Sequence, residues 1–355
     1  MPDSSPPPQT RISDSLDTAL RAWEAHERPG LPVDGFVLSR RRESARTGLY
    51  RLDGTDVIEP DGHLLRIAPS PDRRRIAVEW ACRADENAVL GIVDVERKEL
   101  RLHERIGVRY DPVLWSADSS RLEVAASRER AIVELDVASG RSTRTPVAGA
   151  ERVRLLPGGA EGLLARRPAG GPTELIDRST GASVGRYGAV HRTAICDEGF
   201  LVWHDRGIDR FTGDGTHRWT WHEPGLRITD LASSGSGILA LGVRDGRSVV
   251  VSLSDGAFRE IREVAAGHGP VAATGIAMTD EGPVVRVEAP LVPPRVIPLA
   301  EATAPITRTE LAPGAEDEPR TSTLTVRADD GTEITVVLAL PRSRPDPIPV
   351  ILTCY

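Results

Sequence analysis

The sequence predicts an all-β chain, a seven-bladed β-propeller carrying an N-terminal amphipathic helix and a C-terminal fragment of a second domain. Three observations lead there: a turn-into-strand signal repeated seven times, a second strand signal after each, and a change of pattern at both ends.

The leader, MPDSSPPPQTRISDS, is rich in Pro and has no apolar core of signal-peptide length. No later segment approaches membrane-spanning length, so a cytoplasmic protein is expected. From Asp14 to His26, Leu16, Ala19, Leu20 and Trp23 fall at helical spacing, and Ser13 or Asp14 can cap the first turn. Residues 1–30 are therefore read as an extension with one helix.

The repeats occupy 31–312. A turn rich in Asp, Gly, Ser or Pro runs into a β-prone segment as VDGFVLS at Val33, SPDRRRIAVEW at Ser70, SADSSRLEVAA at Ser116 and LPGGAEGLLA at Leu156. It recurs as CDEGFLVWH at Cys196, SSGSGILALGV at Ser233 and TDEGPVVRVEA at Thr279. Successive starts lie 37 to 46 residues apart, the length of a four-stranded blade. A strand ending in an acidic or Gly-containing turn follows each: GLYRLDG, VLGIVDVERKE, AIVELDVASG, TELIDRSTG, GIDRFTGDG, VVVSLSDG and RVIPLAEA. Ile132, Glu134 and Asp136 alternate with Val133, Leu135 and Val137, as in a strand with one packed face. A β-sandwich would place turns every 8 to 12 residues and would not explain a beat near 40.

Pro313 to Pro319 reads as a polar linker. Two alternating runs then flank Asp329-Asp330-Gly331-Thr332, a hairpin signal, and IPVILTCY closes the chain as a run suited to a strand buried on both faces.

The 355 residues hold 45 Lys and Arg against 52 Asp and Glu, a net charge of −7. With no basic surplus, nucleic acid and anionic membrane are poor partners. Arg73, Arg74 and Arg75 read as a solvated turn. Cys82, Cys196 and Cys354 lack the spacing of a zinc or redox motif and are read as buried small hydrophobes. His204 stands beside Asp205, and His217 and His222 near Trp219 and Trp221, read as a blade turn; none has the helical spacing of a zinc peptidase. Gly213 to Gly215 lacks the phosphate-loop pattern, so no cofactor and no metal are expected.

DGTEITVVLALPRSRPDPIPVILTCY, from Asp330 to Tyr355, resembles the prolyl oligopeptidase family of serine peptidases where its chain enters the α/β-hydrolase domain: Asp-Gly-Thr, a strand, a Pro-rich loop, and an apolar strand leading to Tyr-Gly-Gly-Phe. SPDRRRIAVEWACRADENAVLGIVDVERKEL, from Ser70 to Leu100, resembles one of its blades, with Arg73 at the usual Gly and no Gly in the turn Asp85-Glu86-Asn87. The resemblance implies that residues 320–355 are the first strands of a truncated α/β-hydrolase domain. It implies a family activity of cleaving short peptides after proline, with the propeller gating access, and a hydrolase domain as partner in cis. It also implies that the phenol of Tyr355 donates to the oxyanion in a full-length relative.

Serine-peptidase chemistry needs a nucleophile, a base, an orienting acid and oxyanion donors. Ser236 in SSGSG and Ser248 in GRSVV each miss a glycine of the nucleophile elbow G-x-S-x-G. This chain is thus expected to be catalytically incomplete. The alternative reading is a stand-alone propeller that binds peptides or proteins on one face.

Overall fold

The computed structural model describes residues 27–41, 46–82, 88–108, 112–126, 129–234, 237–254, 257–264, 272–289, 292–302, 320–327, 331 and 333–340. Its strands form seven antiparallel sheets of consecutive strands, the blades of a propeller, plus one separate hairpin. Blades 1 to 6 have four strands each, and blade 7 has three among the described residues.

The seven turn signals all fall on one place, the hairpin between first and second strands. The second strands are Phe36–Arg40, Arg75–Ala81, Arg121–Ala126, Leu163–Arg167, Gly199–His204, Gly237–Arg244 and Gly282–Ala289. The seven following signals are the third strands, from Gly48–Arg51 to Val292–Pro298. In blades 1 to 6 these two strands have neighbours on both edges, so β-branched and aliphatic side chains dominate them. The alternation in Ala131–Asp136 appears as Ala131, Val133 and Leu135 buried against half-buried Ile132, Glu134 and Asp136.

The turns are built from short polar side chains. In blade 2, Ser70 Oγ donates to Asp72 Oδ1 at 2.6 Å and accepts from Arg75 N at 3.0 Å, while Arg74 N donates to Asp72 at 3.1 Å. Blade 3 repeats the device with Ser116, Asp118, Ser120 and Arg121. These donors hold Asp72 below the usual carboxylate value and bring Asp118 down to about 2. Arg73 and Ser119 occupy the same left-handed position, φ 57° and 59°, where a glycine carries no Cβ penalty.

The first strands of blades 5, 6 and 7, Val190–Cys196, Arg227–Ser234 and Ala272–Thr279, touch in turn, and the first strands of blades 2 and 4 touch the second strands of the blades before them, so first strands lie inward and fourth strands outside. Outer strand Ser142–Pro146 is exposed throughout. Blade-to-blade packing accounts for the core. Each of the six consecutive interfaces holds its own buried apolar cluster, such as Phe36, Leu49 and Val57 of blade 1 against Leu64, Ile76 and Val78 of blade 2. At the seventh interface, Arg286 Nε of blade 7 donates to Pro29 O of blade 1 at 3.1 Å, and Leu31 packs close to Gly275. The four-residue helix Leu299–Ala302 then packs Leu299 and Ala302 onto the last cluster.

Strands Arg320–Arg327 and Glu333–Leu340 pair in register over their whole length, as the sequence predicts, and Gly331 between them has φ 86°. The predicted helix from Asp14 to His26 and the strand from Ile348 to Tyr355 lie outside the described residues. No helix among the described residues is long and apolar enough to cross a membrane.

Candidate functional site

A cavity of about 750 Å³ touches all seven blades: Leu38, Arg66, Arg154, Arg192, Asp230 and Arg286 line it from six of them, and Val113, just before the first strand of blade 3, completes the ring. A second cavity of about 760 Å³ shares Val113 and Pro157 with it and is lined by the turns that follow the first strands, among them Ser70, Ser116 and Gly158, with Ile195 at its rim. The first, ringed by all seven blades, lies on the propeller axis, and the second adjoins it at Val113 and Pro157; together they form the channel, each end of a size that accommodates a small ligand or a stretch of peptide.

The two ends differ in charge. The first is lined by Arg28, Arg66, Arg154, Arg192 and Arg286 against Glu79 and Asp230. The second carries Arg73, Arg121 and Arg178 against Asp34, Glu123, Glu134 and Glu161. Burial pushes His191, also at the first end, below the usual imidazole value, so it adds no charge at neutral pH.

Bonds between blades position these groups. Arg154 Nη1 donates to Val190 O at 2.8 Å, joining blades 4 and 5, and Arg192 pairs with Asp230, joining blades 5 and 6. Asp230 Oδ2 accepts from Ile276 N at 3.0 Å, which ties blade 6 to blade 7. Arg66 Nε stands 3.9 Å from Glu79 Oε1, whose carboxylate is buried beneath it. At the other end, Arg178 grips Glu123 with both Nη atoms at 2.5 and 2.7 Å, joining blades 3 and 4.

A second polar cluster lies off the axis between blades 4 and 5. Tyr187 Oη donates to Asp209 Oδ2 at 2.9 Å and Thr220 Oγ1 to Asp209 Oδ1 at 2.6 Å. His204 Nδ1 accepts from Arg206 N at 3.1 Å, which leaves the hydrogen on Nε2, 3.3 Å from Asp209 Oδ1. Burial alone would raise Asp209; the surrounding donors outweigh it and bring it down to about 2. Tyr187 is pushed up by burial and by that carboxylate. Thr220 gives its single hydroxyl hydrogen to Asp209, so it is not an activated nucleophile for His217, whose Nε2 lies 3.1 Å away.

The other residues singled out by sequence find ordinary places. Ser248 is buried, and its Oγ accepts from Ala273 N at 2.9 Å between blades 6 and 7. His217 begins the outer strand of blade 5 instead of a turn, because Trp219 and Trp221 alternate with the exposed Arg218 and Thr220 along His217–Trp221. Cys196 is buried, but Cys82 is exposed, since it follows the last residue of its strand and leaves the sheet. Tyr355, Ser236 and Cys354 lie outside the described residues. Among the described residues no group of three His, Cys, Asp or Glu is placed to hold a metal ion. The arginines at the channel were missed by sequence reading. They stand singly at 38- to 94-residue separations, and only the blade repeat would have aligned them.

No family model and no curated protein matches the chain. Among solved structures 709 chains match, so the architecture is shared widely and does not by itself select an activity. One, from a structural and mechanistic study of two prolyl endopeptidases and of inter-domain dynamics in their catalysis and specificity, superposes with a TM-score of 0.63 at 13% identity. The likeness covers 96% of this chain and 61% of that one, so this chain spans less than two thirds of its length. At this identity the likeness carries the fold alone: the protein is a seven-bladed propeller resembling that of a prolyl endopeptidase.

Proposed function

We propose that this chain is the substrate-gating propeller of a prolyl oligopeptidase-type serine peptidase. The fold likeness over 96% of the chain is the observation that carries the reading, and the axial channel gives it a physical basis. An extended peptide can enter a channel walled by seven packed blades, whereas a folded domain cannot pass without breaking the interblade clusters. The chain's G-x-S-x-G, GASVG from Gly181 to Gly185, runs into the outer strand Ser183–Tyr187 of blade 4 and not into a helix, so it is no nucleophile elbow; the serine, its base and its orienting acid would come from an α/β-hydrolase domain. In such an assembly Tyr355 would supply a phenolic donor to the oxyanion.

The test begins with the reading frame after Tyr355. A continuation through Gly-Gly-Phe to a later G-x-S-x-G supports the proposal, provided the product cleaves a Gly-Pro anilide and spares a folded Pro-containing protein. The 355-residue chain itself should neither turn over that anilide nor react with an active-site serine phosphonate; stoichiometric labelling of Ser248 would overturn the division of labour. A stop codon directly after Tyr355, with peptides bound and released intact, would instead establish a stand-alone peptide-binding scaffold.

A further inference from the structure

We propose that the arginine-lined end of the channel selects peptides carrying carboxylates, so that acidic peptides are the preferred occupants. The proposal rests on the propeller receiving peptides at all. Its basis is a contrast of charge: the chain carries a net −7, yet this one end gathers five arginines against two carboxylates. A cleft lined by one sign of charge and walled by apolar blades focuses the field along its axis and concentrates ligands of opposite sign.

Bonds between blades account for part of this arginine set, but they do not exhaust it. Each guanidinium presents its N–H donors in a fixed fork and keeps its positive charge when bonded: Arg154 is held by the carbonyls of Val190 and His191, which are neutral, and Arg192 by the carboxylate of Asp230. Those bonds hold the forks in place before a ligand arrives, which reduces the ordering cost of binding. Arg28 Nε is buried with no hydrogen-bond partner among the described residues, and Arg66 is half-exposed. The other end, with three arginines to four carboxylates, offers no such attraction. The channel is therefore polarised, and a carboxylate-bearing peptide has one favoured mouth.

Isothermal titration of the full chain with two Pro-containing octapeptides, identical except for Glu or Lys at the flanking positions, tests this. The acidic peptide should bind about tenfold or more tightly at low salt, with the advantage shrinking as ionic strength rises. Arg28→Gln and Arg66→Gln should each weaken only the acidic peptide, about two- to fivefold. Glu79→Gln, which removes a carboxylate at nearly unchanged volume, should tighten it, a gain that a damaged fold would not produce. Equal affinity for the two peptides, or arginine variants without effect, would overturn the proposal. Inorganic phosphate displacing the acidic peptide at comparable affinity would overturn the peptide assignment in favour of a free-anion site. Because binding is read on this chain alone, absence of a hydrolase domain would sink the gating reading and leave this result intact.

Discussion

Asp209 is the residue whose substitution should matter most to stability. Its carboxylate accepts from Tyr187 across the blade 4–5 junction, from Thr220 on the outer strand, and faces His204 Nε2. Asp209→Asn keeps the shape but turns an N–H₂ toward one of the two hydroxyl donors. Lowering an ordinary 3.8 to about 2 corresponds to about 2 kcal/mol at neutral pH, once discounted for solvent reaching its edge. Hydrogen bonds to a charged group, at about 1.5 to 3 kcal/mol, give the same scale. The variant should thus lose about 2 kcal/mol in urea unfolding at pH 7, equivalent to a fall in Tm of about 3 °C. The sign with pH follows from the depressed value: the contribution is complete above the unfolded value near 4 and is lost as pH falls toward 2. Wild type and variant should therefore converge between pH 4 and 2. A gap that stays constant down to pH 2.5, or one below about 0.5 kcal/mol at pH 7, would refute the reasoning.

Arg73→Gly should stabilise the protein by about 0.5 kcal/mol in the same assay, since the position is left-handed, whereas Ser119→Gly should not, because the buried Ser119 Oγ accepts from Asp72 N at 3.2 Å. Arg74→Gly, at a position without positive φ, should destabilise it; gains at all three would show that the turn geometry is not the cause. Deleting Thr321 to Tyr355 should leave the main calorimetric transition unchanged, because the terminal hairpin shares no sheet with any blade among the described residues. The same deletion should reduce light scattering, since Leu324 and Val326 on that hairpin are 45% and 48% exposed; loss of folding would show that the hairpin belongs to the propeller. Lowering pH from 5 to 2 should weaken the Ser116-Asp118 turn, and Asp118→Asn should blunt that sensitivity, checked by unfolding midpoints at each pH.

The propeller itself was legible from the middle of each blade. Second and third strands such as Arg121–Ala126 and Ala131–Asp136 are joined by a tight turn and buried against neighbouring sheets, so local chemistry and periodicity both record them. First and fourth strands left no such record. Leu114–Trp115 and Arg28–Pro29 are two residues long, and Ser142–Pro146 is polar because it faces solvent. Four of the channel's five arginines come from that silent part, Arg286 on the second strand of blade 7 being the exception. Arg28, Arg66, Arg154, Arg192 and Arg286 are isolated charges in a chain of net −7, and each alone reads as surface. Only closing the ring brings them to one axis, because the first strands converge there and the bonds to Val190, Asp230 and Pro29 fix their direction. The Tyr187, Asp209 and Thr220 cluster follows the same logic, since its members come from two blades and meet only when those blades pack. By itself the sequence determined the number of blades and their central hairpins, which depend on contacts within about ten residues; the charge of the channel was decided by tertiary packing across the whole chain.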